Sequence, residues 1–532
     1  MRRLYKMKKM VLAAAAVLAL ALAFTGCSKS GATTGAELIL NNGSEPQSLD
    51  PTKIQGVPED RIYKALFEGL VDYDPQTCHA VPGVAESWDR SADGTVLTFH
   101  LRKDAVWSDG TPITAKTFVD SWLYYMAPST AAEYAYMPAS VIKGAADYNG
   151  GKADASAVGI KAVDDYTFEV TLVGPVPYAV DMMAHYSFTA LPLDAMNKYG
   201  ADWTKPEHFV GNGPFVLESW VPQEKITVVP SKTYWNKKNV FLSRVTFLPI
   251  ENDTTAYNKY KNGEIDWLTA VPLEMLDEIK LDPNYHAAPF LSSYYYEFNL
   301  NDKTLKDVRV RQALALAIDR NELVDKVTKG GQLPTGAYVP EMAGYTPADG
   351  FTFDPEQAKK LLAEAGYPDG KGFPKLTVIY NTNEAHKKIA EWVQQQWKTN
   401  LNIDIDLQNM EWASFLDKRQ SNDFQISRAG WSGDYQDPSN FLDLLRKDSG
   451  NNDGRYNNPA FDALLDKAAN MPDGAERNQV LHDAEQLAIR TDAAFIPFYI
   501  YVTQNMIDTN KWEGWYTNTL DLHPYVGLKL KK

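Results

Sequence analysis

Between residues 295 and 434, short runs rich in β-branched residues alternate with helical patterns, and no other feature restricts the fold as much. LTVIYN (376–381), NIDIDLQ (402–408) and DFQISRAGW (423–431) read as strands. EAHKKIAEWVQQQWK (384–398) reads as a helix with Ile389, Trp392, Val393 and Trp397 on one side, and EWASFLDKRQ (411–420) as another. Upstream, DVRVRQALALAIDRNELVDKV (307–327) is predicted as one helix stopping at Gly330-Gly331. Asp354-Pro355 opens a further helix, EQAKKLLAEA, closed by Gly366. Strands alternating with helices imply parallel βαβ units, so the chain is predicted to be an α/β protein.

In open α/β sheets a ligand sits beyond the carboxyl ends of the strands. The three strands lead into His386, Trp412 and Asp434, which predicts one site at one rim. Asp434 belongs to RAGWSGDYQDPSN (428–440), where Asp437 has a structural task already: it is predicted to cap a helix whose first residue is Pro438. Asp434, three residues earlier, has no such task.

The first part of the chain is organised differently. LILNNGSEPQSLDPTKIQ (38–55) begins as a short strand and then turns repeatedly. Asp93-Gly94 followed by the alternating TVLTFHL predicts a hairpin, and YTFEVTL (166–172) is a second alternating run. Residues 120–165, rich in Ala, Tyr and Gly, are predicted to belong to a small inserted subdomain.

MRRLYKMKK followed by the 14-residue apolar run VLAAAAVLALALAF has the build of an export signal and is short of the ~20 residues a spanning helix needs. Its five basic residues are absent from a processed chain, which then carries 48 basic against 68 acidic residues, a net charge of −20. A chain this acidic, without a basic stripe, has no phosphate-binding footprint, so nucleic acid is excluded as a partner. The two cysteines are Cys27 and Cys78, and no intramolecular disulfide is expected. Most of the 13 Trp and 29 Tyr read as core packing, the remainder as the lining of a large ligand cavity.

Catalytic signatures are missing. GWSGD (430–434) fails the G-x-S-x-G elbow because Asp434 occupies the last glycine. There is no HExxH, P-loop or dinucleotide fingerprint, and the eight His residues never fall at i, i+4. No enzyme activity, metal or cofactor is expected.

AESWDRSADGTVLTFHLRKDAVWSDGTPITA (85–115), GNGPFVLESW (211–220), YYYEFNLND (294–302) and DVRVRQALALAIDR (307–320) resemble, in this order, the oligopeptide-binding proteins of bacterial ABC importers, extracellular solute-binding protein family 5. NNGSEPQSLDP and GVPE, within 41–59, resemble the OppA-type branch. The resemblance spans essentially the whole processed chain. It implies a periplasmic-binding-protein-like (type II) fold of two hinged lobes with an additional small domain. The implied division is lobe I from 38–67, 191–290 and 502–532, the small domain from 68–190, and lobe II from 291–501.

Thr25-Gly26-Cys27 resembles the lipobox of bacterial lipoproteins, with Phe24 a less usual residue three before the Cys. It implies a signal peptide over 1–26, lipidation of Cys27, a flexible tether over 27–37 and a membrane anchor on the extracytoplasmic side. The implied ligand is a short peptide, extended between closing lobes and delivered by a monomer to the transmembrane subunits of an ABC permease. Main-chain hydrogen bonds hold such a ligand as an added strand is held.

Residue by residue, the resemblance makes Asp434 the acid for the ligand α-ammonium. A cation enclosed away from water needs such a partner. Arg428, Arg419 and His386 fall at positions implied to hold the ligand carboxyl end, with His386 assisting when protonated. Trp412 and Trp431 are implied pocket aromatics, Tyr134 a residue over the peptide, Gly430 and Ser432 backbone contacts. Gln55, Val57 and Tyr501 complete the implied ligand-binding set.

Three departures accompany the resemblance. Gln55 stands where relatives carry an acid, which makes that contact neutral. IDWLTAVP (265–272) is one residue short and lacks a paired Asn. Ser432 replaces a Cys that some relatives use in a disulfide. Relatives of the same fold that take nickel chelates, haem or oligosaccharides are the alternative, as is a surface signalling or adhesion protein.

Overall fold

Two long strands, Tyr285–Phe298 and Phe495–Ile507, run antiparallel through the middle of the molecule and join its halves. The computed structural model describes residues 35–531, except residue 343. The expected signal peptide (1–26), Cys27 and most of the tether lie outside the described residues. The two long strands belong to one eleven-stranded sheet, whose path fixes where everything else sits.

On one flank the sheet continues through Ile426–Ser432, Leu376–Asn381 and Ile405–Met410. As expected from the sequence, Leu376–Asn381 pairs parallel with both neighbours. The helix between Leu376–Asn381 and Ile405–Met410, Glu384–Leu401, starts where the Asn383 side chain accepts from the amides of Ala385 and His386. It buries Ile389, Val393 and Trp397, with Trp392 half-buried beside them. Each such side chain contributes about 1.5–3 kcal/mol by leaving water. Trp412–Gln420 follows Ile405–Met410, capped by the Glu411 carboxylate.

On the other flank lie Trp267–Leu268, Glu37–Asn41, Arg244–Leu248, Lys225–Pro230 and Phe215–Val221. The pairing of the two long strands slips between Pro289 and Ser293, opposite the step from Val502 to Ile500. A register slip bends and twists a ladder locally, and this one falls between the two flanks of the sheet. Apart from this sheet, Ala85–Arg90, Val96–Leu101, Thr167–Thr171 and Ile160–Asp164 form an antiparallel sheet of their own. It includes the hairpin expected at Asp93-Gly94.

Two expectations are corrected. Residues 307–327 are not one helix: Val308–Leu316 ends, and Asp319 caps a new start by accepting from the amide of Glu322. A turn that offers its own cap competes with continuing the helix. Around Asp437, the helix is only Ser439–Leu442, with Pro438 before it. Asp437 does accept from the Ser439 amide at 2.9 Å, but it also holds the buried Arg477 through two 2.8 Å bonds.

Candidate functional site

Ile426–Ser432 carries the line of side chains on which the site is built, because alternate residues of a strand face one way. Arg428, Gly430 and Ser432 line a cavity of about 360 Å³, and Asp434 continues the line. Trp412, at the start of its helix, and Tyr501, on the second long strand, close the same side. The opposite wall comes from Gln55 and Val57, at the start of the helix Val57–Leu66, and from Tyr134 in the short helix Glu133–Ala135. Eleven of the twelve expected ligand-binding residues therefore line one cavity.

The halves touch around it. Trp412 Nε1 donates to Glu59 Oε1 at 3.1 Å, and the Tyr73 hydroxyl donates to the Asp434 carbonyl at 2.7 Å. Tyr134 stacks on Trp431 at 5.9 Å, while the Trp431 indole N–H is fixed by Asn440 Oδ1 at 2.8 Å. The molecule is closed over its cavity.

Asp434 has few partners there. Its side chain is 18% exposed, and the nearest basic atom is His185 Nε2, 3.5 Å from Oδ1. Nδ1 of His185 accepts from the Ser187 amide, which leaves the proton on Nε2, and burial keeps the ring neutral. Asn440 Nδ2 reaches Oδ2 only at 3.5 Å. Burial pushes the Asp434 carboxyl up to about 8; Asn440 and Lys64 oppose that rise, and Asp60 adds to it. A cation that arrives beside such an acid favours its ionised form.

The two arginines differ. Arg428 donates to the Tyr501 hydroxyl at 2.6 Å and to Asn381 Oδ1 at 3.4 Å, and lies 4.9 Å over the Tyr294 ring. Among the described residues no carboxylate lies within 4.0 Å of it. Arg419 is already paired, with Glu297 at 3.0 Å and Asp453 at 2.9 Å. A ligand carboxyl end at Arg419 would compete with these two internal acids.

His386 is the exception to the cavity lining. It packs 5.7 Å from the Tyr294 ring, behind Arg428. Burial and the Arg428 charge hold its imidazole well below the usual range. The expected assistance by His386 requires a protonated ring, which this burial and the Arg428 charge oppose.

Two glycines are where they are for want of space. A Cβ on Gly430 would stand 3.1 Å from Arg428 Nη2 and 3.3 Å from the Tyr501 hydroxyl, crowding their bond. A Cβ on Gly56 would meet Trp412 Cζ2 at 2.6 Å. Ser432 faces Ser292 across the ladder with hydroxyls 3.0 Å apart, a polar pair where some relatives are implied to carry a disulfide.

Sequence reasoning missed Asp60, Arg61, Lys64, His185 and Asn381, all of which line the cavity. The first three, with Val57, form one stripe of the helix Val57–Leu66, whose other face is buried. Charges opposite an apolar face read as solvated residues, so nothing in the pattern separated a cavity wall from a surface.

A cavity closed between two halves of the molecule, holding an acid and a guanidinium without an ion-pair partner, defines a two-lobed binding protein of the type II architecture. The profile described as bacterial extracellular solute-binding proteins, family 5 Middle, matches residues 79–453. The periplasmic oligopeptide-binding protein OppA of Escherichia coli (strain K12) is 42% identical over 491 residues, 90% of this chain and 89% of that one. A periplasmic oligopeptide-binding protein/oligopeptide ABC transporter (OppAIV) from Borrelia burgdorferi superposes with a TM-score of 0.91 at 40% identity, covering 93% of this chain and 100% of that one. Haemophilus influenzae OppA in complex with RPPGFSPFR gives a TM-score of 0.89 at 34% identity, over 94% and 99% of the two chains. The chain belongs to family 5 of the bacterial extracellular solute-binding proteins.

Proposed function

We propose that this protein captures short peptides between its lobes and delivers them to an ABC permease for import, without chemistry on the ligand. The observation that carries this reading is the pairing, in one closed cavity, of an uncompensated carboxyl and an uncompensated guanidinium. Asp434 receives the peptide α-ammonium, and Arg428 the α-carboxylate through its fork of donors. Six positions of strand and its continuation separate them, at most roughly 20 Å at the strand rise. That span suits about three to five extended residues.

Trp412, Trp431, Tyr134 and Tyr501 give the ligand side chains adaptable apolar walls, and Gly430 lets the ligand main chain approach. Gln55, Val57 and Ser432 border the same path. The chain works as a monomer tethered through lipidated Cys27 on the extracytoplasmic side. The lobes divide near 290/291 and 501/502, and the register slip at Pro289–Ser293 supports a hinge there. The peptide and transporter named in the relatives' descriptions support the same reading.

Calorimetric titration of the ligand-stripped protein with tri- and tetrapeptides bearing free termini tests it. One-to-one binding is expected. If no peptide binds to protein shown to be folded, while a sugar, a nickel chelate or haem does, the reading is overturned.

A further inference from the structure

The helix Val57–Leu66 turns Val57, Asp60, Arg61 and Lys64, spaced i, i+3, i+4 and i+7, onto the cavity. Its other side, including Ile62, Tyr63, Ala65 and Leu66, is buried. Three charges on one stripe of a closed cavity need partners. Among the described residues none of the three has an oppositely charged atom within 4.0 Å, not even Asp60 and Lys64 one turn apart.

Their other contacts are sparse. Arg61 Nη1 donates to the carbonyl and Oδ1 of Asn42 at 3.3 and 3.2 Å, leaving the rest of its fork without a protein acceptor. Lys64 Nζ reaches only the Ala184 carbonyl, at 3.4 Å, and lies 4.7 Å over the Tyr73 ring. Among the described residues the Asp60 carboxylate accepts no hydrogen bond.

The stripe adjoins the Asp434 end of the cavity. The Tyr73 ring beneath Lys64 is the one whose hydroxyl bonds the Asp434 carbonyl, and Ala184 precedes His185, the neighbour of the Asp434 carboxyl. One acid and two bases give the stripe itself one excess positive charge, and Asp521 of the same cavity acts on Arg61. With a ligand ammonium on Asp434, the charge of the stripe still to be answered is positive. A carboxylate on a ligand side chain near the amino end answers it, with donors from both Arg61 and Lys64.

We propose that Asp60, Arg61 and Lys64 form a side-chain subsite that selects peptides carrying an acidic residue at the first or second position. The proposal rests on the peptide reading above and narrows its substrate class. Asp60 limits the preference, because it repels the incoming carboxylate.

Calorimetry with isosteric pairs tests it: Glu-Ala-Ala against Gln-Ala-Ala, and Ala-Glu-Ala against Ala-Gln-Ala, with Ala-Ala-Ala as reference. In one pair the Glu peptide is expected to bind at least about tenfold tighter. In Lys64→Gln and Arg61→Gln that ratio should fall below about threefold, and in Asp60→Asn it should rise. Thermal unfolding checks each variant, and Asp60→Asn keeps the test alive if removal of a base impairs folding, since its effect has the opposite sign.

A ratio near one in the unmodified protein, or a ratio unchanged in all folded variants, overturns the subsite. If Ala-Ala-Ala binds and Glu brings no gain, only the subsite falls. If no peptide binds, the peptide reading itself falls.

Discussion

Arg419 and Arg428 line the same cavity nine residues apart, yet they do opposite things. Arg419 is enclosed with Glu297 and Asp453, and its charge is answered inside the protein. Arg428 has a phenol, an amide and an aromatic face around it, and among the described residues no acid answers its charge. A charged side chain in a cavity is available to a ligand only where the fold has not already paired it.

Arg419→Met offers the largest effect with which to break this comparison. Two buried acids would lose their counter-charge, and removing one member of such a cluster costs about 3–5 kcal/mol of stability. Chemical denaturation reads it; a loss below about 1 kcal/mol would mean that Arg419 is as free as Arg428. Arg428→Met should do the reverse, leaving the unfolding midpoint nearly unchanged and lowering peptide affinity by about 1.5–3 kcal/mol. The loss should be confined to peptides with a free carboxyl end. Amidated peptides should bind both proteins alike.

A third, smaller effect extends the comparison to acids. Asp434 has a folded-state value near 8 against an ordinary 3.8. The folded protein therefore holds a proton that the unfolded chain releases, and its stability falls as pH rises from about 4 to about 8. Asp434→Asn removes that loss. The ligand-free variant should unfold about 2–4 °C higher at pH 8 and level with the unmodified protein near pH 4. Equal midpoints at pH 8 would show that the Asp434 charge is answered within the protein after all.

The smallest effect lies at the rim, where two helix starts meet across the cleft. Asn383 donates to Asp253 at 3.2 Å, while Thr254, at 3.0 Å, and Asn252 donate to Glu384. Burial, then the Glu384 charge, pushes Asp253 up to about 7. Closing therefore favours a protonated Asp253, and rising pH through 7 should open the ligand-free protein. Glu384→Gln should weaken that dependence in small-angle scattering by about 0.5–1 kcal/mol.

The sequence carried the parallel sheet and the three strand ends of lobe II, because alternating periods of two and 3.6 survive in a single chain. Asp434 stood out for the same reason: its neighbour Asp437 already had a cap to make, and it did not. What could not be read was who pairs with whom. Glu297, Asp453 and Arg419 are far apart in sequence, so nothing local distinguished Arg419 from Arg428. His386 looked like a rim residue from its place after a strand, yet its helix turns it behind Arg428. The stripe Asp60, Arg61 and Lys64 looked solvated because the wall facing it comes from over 300 residues later, at Arg419 to Asp434.

The central claim is that the Asp434 carboxyl receives a ligand ammonium, and a thermodynamic cycle tests it most directly. Affinities of one tripeptide with a free and an acetylated amino end would be measured on the unmodified protein and on Asp434→Asn. The account predicts that acetylation costs about 2–5 kcal/mol with Asp434 present and little once it is gone. Two losses that simply add would contradict it, and would place the ammonium elsewhere in the cavity.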